Sequence, residues 1–128
     1  MLIGLALRRI VLLLLVATLA AGSAACAPPG RAALRFSPGS LADARVGQAY
    51  DQKIEISGNE TPVLRFSVQN GVLPAGLRIE KIAGSDNAGR IVGTPLVAGT
   101  SSFEVTVTCA GTNVSGQTGT QAYTLTVR

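Results

Sequence analysis

The chain has no histidine, no tryptophan and two cysteines, and three phenylalanines and two tyrosines are its only aromatic residues. Without histidine the commonest general base and the commonest zinc ligand are missing, so the usual hydrolase triads are impossible. Two cysteines cannot build a four-thiolate site, and Cys26 and Cys109 have neither the spacing nor the histidine partners of structural zinc. Acidic residues are also few: Asp43, Asp51, Glu55, Glu60, Glu80, Asp86 and Glu104. None falls in a D-x-D pattern, and each sits on the polar face of an expected strand or in a turn, so a solvated surface is the expectation and catalysis is not. The glycine-rich stretch 110–119 lacks the strand-to-helix context that phosphate-binding loops require.

Long apolar runs are confined to the start. Arg8 and Arg9 precede an apolar segment from Ile10 to Ala21, and small residues follow from Gly22 to Ala25. This is the three-part plan of a secretory signal peptide. The run is shorter than the roughly 20 residues a spanning helix needs, so cleavage is expected rather than a permanent span. Ala24-Ala25-Cys26 resembles a bacterial lipobox, although Ser23 stands where such signals usually carry Leu, Val or Ile. The resemblance implies diacylation of Cys26 and a membrane anchor through an N-terminal lipid. Conventional cleavage after Ala25 or Ala27 is the alternative, giving a periplasmic or secreted protein. Ala27 is not the aspartate that retains lipoproteins at the inner membrane of well-studied Gram-negative bacteria, so the resemblance favours the outer membrane.

Residues 1–25 are thus read as signal peptide, 26–40 as a tether and 41–128 as one domain. About a hundred residues build a single core. The formal charge of +4 loses two units with Arg8 and Arg9, and the remaining cations are scattered singly, so no nucleic-acid partner is expected.

Beyond the tether the periodicity is two. Tyr50, Ile54 and Ile56 alternate with Asp51, Lys53 and Glu55; Leu64, Phe66 and Val68 with Arg65, Ser67 and Gln69; Phe103, Val105, Val107 and Cys109 with Glu104, Thr106 and Thr108; Tyr123, Leu125 and Val127 with Thr124 and Thr126. Shorter strands are expected near Leu34–Phe36, Leu77–Ile79 and Arg90–Gly93. Asn70-Gly71 supplies residues that tolerate positive φ, and Pro74 and Pro95 keep their bends out of a central ladder. About seven short strands in this length predict an all-β, immunoglobulin-like antiparallel sandwich. The expected core is Ile54, Ile56, Leu64, Phe66, Leu77, Ile79, Ile91, Phe103, Val105, Val107, Leu125 and Val127.

The segments Gly71-Val72-Leu73-Pro74-Ala75-Gly76-Leu77, Gly89-Arg90-Ile91-Val92-Gly93-Thr94-Pro95 and Ala98-Gly99-Thr100, followed by Phe103 to Thr108 and Tyr123 to Val127, resemble the immunoglobulin-like domain of bacterial surface proteins, whose relatives are cadherin-like and dystroglycan-like. That family reads G-x-LP-x-GL, G-x-I-x-GTP-x-x-AGT, then alternating strands, and the likeness covers 41–128. It implies adhesion, contact with a protein or glycan, or spacing. It also raises calcium, which wants six to eight oxygen ligands. Asp86 and Asn87 are the sole local pair of oxygen donors, and a polar turn is the favoured reading there.

Cys109 divides two further expectations. If Cys26 is acylated, Cys109 is a buried apolar filler; if not, a Cys26–Cys109 disulfide closes a long loop. The polar stretch between the last two strands, with Gly111, Thr112, Asn113, Ser115 and Gln117, is the candidate binding loop, with a plain connector as its alternative. The sequence therefore reads as a non-catalytic cell-envelope lipoprotein displaying one immunoglobulin-like domain for protein or glycan contact or as an assembly accessory. A calcium-dependent cadherin-like adhesion module, or a secreted disulfide-closed domain, are its alternatives.

Overall fold

In the computed structural model, residues 32–111 and 116–128 are described, and 32–128 form one compact unit. Seven strands follow in order: β1 (Arg35–Ser37), β2 (Tyr50–Ser57), β3 (Val63–Gln69), β4 (Leu77–Lys81), β5 (Ala88–Gly93), β6 (Gly99–Cys109) and β7 (Thr118–Val127). One sheet has the order β1-β2-β5-β4 and the other β3-β6-β7, with every strand pair antiparallel. Labelled A to G in chain order, these are the ABED and CFG sheets of a constant-type immunoglobulin sandwich.

The core follows from alternation on facing strands. Ile54, Ile56 and Ile91 from one sheet meet Val63, Phe66, Phe103, Val105, Val107, Cys109, Tyr123, Leu125 and Val127 from the other. Each such side chain contributes roughly 1.5–3 kcal/mol by leaving water, and no disulfide within the described residues reinforces them. All of this core lies between residues 44 and 127, so the unit from Ala32 carries its own. Within this unit β1 pairs Arg35–Ser37 with Ser57–Glu55 at the edge of the first sheet.

Nine of the twelve expected core residues are buried. Leu77 and Ile79 are half-buried against the core, because β4 is an edge strand. Leu64 is 61% exposed, and this is a correction with a geometric cause. Val63 pairs with Cys109 and Arg65 with Thr108, so two steps on β3 match one on β6 and Leu64 is the extra residue of a bulge. The bulge turns Val63 inward in place of Leu64.

The segment between β1 and β2 crosses from one sheet to the other. Ala44 bridges Val127 in parallel, the Tyr123 hydroxyl donates to the Pro38 carbonyl at 2.8 Å, and Tyr50 donates to the Ala42 carbonyl at 2.8 Å. The glycines of the G-x-LP-x-GL and GTP segments meet in space. Gly76 (φ 92°) and Gly93 (φ 134°) stack so closely that a Cβ on Gly93 would lie 2.0 Å from the Gly76 carbonyl oxygen.

The bulge gives a direct test. Val63→Ala is expected to destabilise the domain by about 1–3 kcal/mol, while Leu64→Ser changes stability by less than about 0.5 kcal/mol in urea unfolding. A regular β3 would give the opposite order.

Candidate functional site

The connections 58–62 and 82–87, with the described ends of a third at 110–111 and 116–117, lie at one end of the sandwich, beside Ala32. Gln117 organises this end. It is 8% exposed, its Oε1 accepts from the Glu60 amide at 2.7 Å, and its Nε2 donates to the carbonyls of Gly58 (3.0 Å) and Ala32 (3.2 Å). Thr61 Oγ1 donates to the Ala110 carbonyl at 2.7 Å, and the Cys109 amide donates to the Gln117 carbonyl at 2.8 Å. Of the candidate loop, Gly111 is exposed and Gln117 is held inside the domain by its own amide; Thr112, Asn113 and Ser115 lie outside the described residues, as does Cys26. Cys109 has no disulfide partner among the described residues and is 1% exposed, and burial pushes its pKa up, which suits an unreactive filler.

Asp86 and Asn87 occupy the β4–β5 turn. Their backbone carbonyls accept from Val63 (2.7 Å) and Ile56 (2.8 Å), and Asn87 Nδ2 donates to the Ile56 carbonyl at 3.2 Å. The turn is thus tied to β2 and β3 through its backbone carbonyls and the Asn87 amide. Among the described residues no group of three or more acidic, histidine or cysteine side chains could hold a metal ion.

The two outer faces differ in chemistry. The four-stranded sheet carries a lattice of charge: Arg90 bridges Glu80 (2.8 Å) and Asp51 (3.5 Å), Arg78 pairs with Glu80 (3.3 Å), and Lys53 with Glu55. The hydrogen bond from Arg90 holds the Glu80 carboxyl below the usual range, with Arg78 adding to the effect. The β6–β7 face carries hydroxyls. Thr100 lies opposite Thr126, Ser102 opposite Thr124, Thr106 opposite Thr120 and Thr108 opposite Thr118. Three of these pairs have oxygens 3.1–3.4 Å apart.

The ladder is interrupted once, where Glu104 faces Ala122. A depression of about 340 Å³ opens there, lined by Asn70, Ser102, Phe103, Glu104, Ala122, Tyr123 and Thr124. Asn70 Nδ2 donates to Glu104 Oε2 at 2.6 Å. The sequence held a signal for this site in the alternate Ser and Thr residues of β6 and β7, but alternation alone reads as a solvated face. That Ala122 falls opposite Glu104 depends on register, which periodicity does not supply.

A family model described as "Putative Ig domain" matches residues 34–128. The chain belongs to that family. No curated protein matches it. Among solved structures, it resembles the sialic acid binding region of a Streptococcus sanguinis adhesin bound to 3'sLn, at TM-score 0.59 and 15% identity, covering 77% of this chain and 30% of that one. It also resembles an endo-fucoidan hydrolase of glycoside hydrolase family 107, at TM-score 0.56 and 20% identity, covering 78% of this chain and 14% of that one. These likenesses show the immunoglobulin-like fold, and this chain spans less than a third of the length of either.

Two outcomes follow. Gln117→Ala removes three hydrogen bonds made from inside the domain and is expected to cost about 1–3 kcal/mol in urea unfolding; an unchanged midpoint would mean that the clasp is dispensable. Burial pushes Tyr123 up to about 12, and burial with the Asp43 charge pushes Tyr50 to about 12. Their neutral forms stabilise the fold fully below pH 10, and that contribution is lost as pH rises from 10 through 12. Stability measured across that window should fall, with Tyr123 contributing on the order of 2 kcal/mol, and Tyr123→Phe should flatten the fall.

Proposed function

We propose that the protein is a non-catalytic cell-envelope lipoprotein, anchored through Cys26, that displays one immunoglobulin-like domain for contact with a glycan or a protein. One observation carries the contact reading: the domain turns two chemically distinct polar faces to solvent, and four of its seven acids serve ion pairs. Asp43 pairs with Arg128 at 2.9 Å, Asp51 and Glu80 with Arg90, and Glu55 with Lys53. Carboxylate chemistry on a glycosidic bond needs two acids facing each other across a bound sugar. Four of the seven acids are paired with cations, and Glu104, which lines the depression on the β6–β7 face, is the only acid there.

The adhesin and hydrolase neighbours support a setting in which such domains accompany glycan recognition, which makes glycans the first class of partner to test. Anchoring is supported by the small residues before Cys26, the Ala27-Pro28-Pro29-Gly30 segment after it and the inert burial of Cys109.

The intact mass of the mature protein from a membrane fraction tests the anchor. A mass above that of residues 26–128 by a diacylglyceryl group and a further acyl chain is expected. A soluble species beginning at Cys26 and lighter by two hydrogens would mean a Cys26–Cys109 disulfide and no lipid. Chelation of divalent ions is expected to leave the melting temperature unchanged; a fall on chelation would favour the calcium-dependent reading.

A further inference from the structure

The depression on the β6–β7 face has the polar groups of a saccharide subsite, and the strand register fixes them in place. Gly71 brings the β3–β4 turn down onto β6 so tightly that a Cβ there would lie 2.2 Å from the Ser102 carbonyl oxygen and 2.8 Å from Phe103 Cα. Asn70, at φ 49°, is thereby held against Glu104. The contact occupies one carboxylate oxygen and one amide proton. Glu104 Oε1, Asn70 Oδ1 and the second Nδ2 proton are left for a ligand. Across the strand pair, Ser102 and Thr124 place two hydroxyls 3.2 Å apart, each able to donate or accept. Next to Thr124 along β7, opposite Glu104, Ala122 offers an exposed methyl group.

We propose that this depression binds a neutral saccharide. The inference rests on the contact reading above and narrows it to one face and one ligand class. A sugar ring presents adjacent hydroxyls that donate to a carboxylate and accept from an amide, and a C–H face that packs on a methyl group. A carboxylate gives the stronger, charge-assisted bond to such hydroxyls. The charge also sets the class, because Glu104 is the only charged residue lining the depression. A sialylated, sulfated or uronic ligand would bring like charge to it with no lining cation to compensate. The neutral preference thus separates this site from the sialic acid binding named for the adhesin. A peptide partner fits this depression less well, since its lining offers no apolar pocket for an anchoring side chain. The Asn70–Glu104 bond holds both groups in place before binding, which lowers the ordering cost.

The test is a titration of the 32–128 unit, followed by backbone amide NMR, with N-acetyllactosamine and separately with its 3'-sialylated form. The expected result is saturable shifts at Asn70, Ser102, Glu104, Ala122 and Thr124 with the neutral sugar, at the millimolar affinity of a single shallow site, and weaker binding of the sialylated form. Glu104→Gln should weaken the neutral sugar about 10-fold and narrow the gap between the two ligands, while Glu55→Gln on the opposite face changes neither. Ala122→Arg should fill the depression and abolish the shifts while the remaining amide spectrum stays that of the folded domain. Tighter binding of the sialylated form, or no shift on this face with the neutral sugar, would overturn the proposal. Shifts confined to the 58–62 and 82–87 connections would overturn this site yet leave glycan contact standing. Absence of any shift with either sugar would overturn the saccharide class and leave contact to a protein.

Discussion

The structure depends on one apolar interface between two small sheets. Ile54, Ile56 and Ile91 on one side and Phe103, Val105, Val107 and Leu125 on the other are all at or below 2% exposure. No tryptophan fills the centre and no disulfide among the described residues spans it. Without that packing the short strands would not hold together, since two or three isolated strands are marginal in water. The interface also fixes register, because a one-residue slip would expose a whole inner face. Register in turn places Glu104 between Asn70 on one side and Ala122 on the other.

The polar devices serve the same interface at its margins. Gln117 bonds an amide and two carbonyls where the 58–62 connection, Ala32 and the start of β7 converge. Tyr123 and Tyr50 pin the crossover segment to the two sheets through hydroxyl groups. None of these groups is spare for chemistry. The surfaces left for contact are the charged lattice around Arg90 and the hydroxyl ladder of β6 and β7. The lattice pairs its charges internally, whereas the ladder leaves donors and acceptors open around one depression, and on that difference the ladder is proposed as the contact face.

Most of the fold was legible in the sequence because its physics is local. Alternation of apolar and polar residues placed the strands, and Asn70-Gly71, Pro74 and Pro95 placed the bends. Leu64 was misplaced because a bulge leaves no trace in periodicity; Val63, next to it, is an equally apolar residue. β1 was legible as a strand near Leu34–Phe36, yet its residues were grouped with the tether because a three-residue edge strand shows no sustained alternation. Gln117 read as one more polar loop residue, since a sequence does not show three backbone groups converging on a side chain. The depression was hidden for a related reason: the hydroxyl residues were visible, but their cross-strand partners were not.

The central claim is that the hydroxyl face, not the charged one, meets the partner in the envelope. Thiol labelling tests it directly, because native Cys109 is buried and Cys26 is acylated in this account, so an introduced cysteine reports alone. Thr124→Cys is expected to react readily with a maleimide in the purified protein and slowly in intact envelopes, while Glu55→Cys reacts at the same rate in both. Protection at Glu55→Cys with free reaction at Thr124→Cys, or equal reaction of each in both settings, would contradict the account.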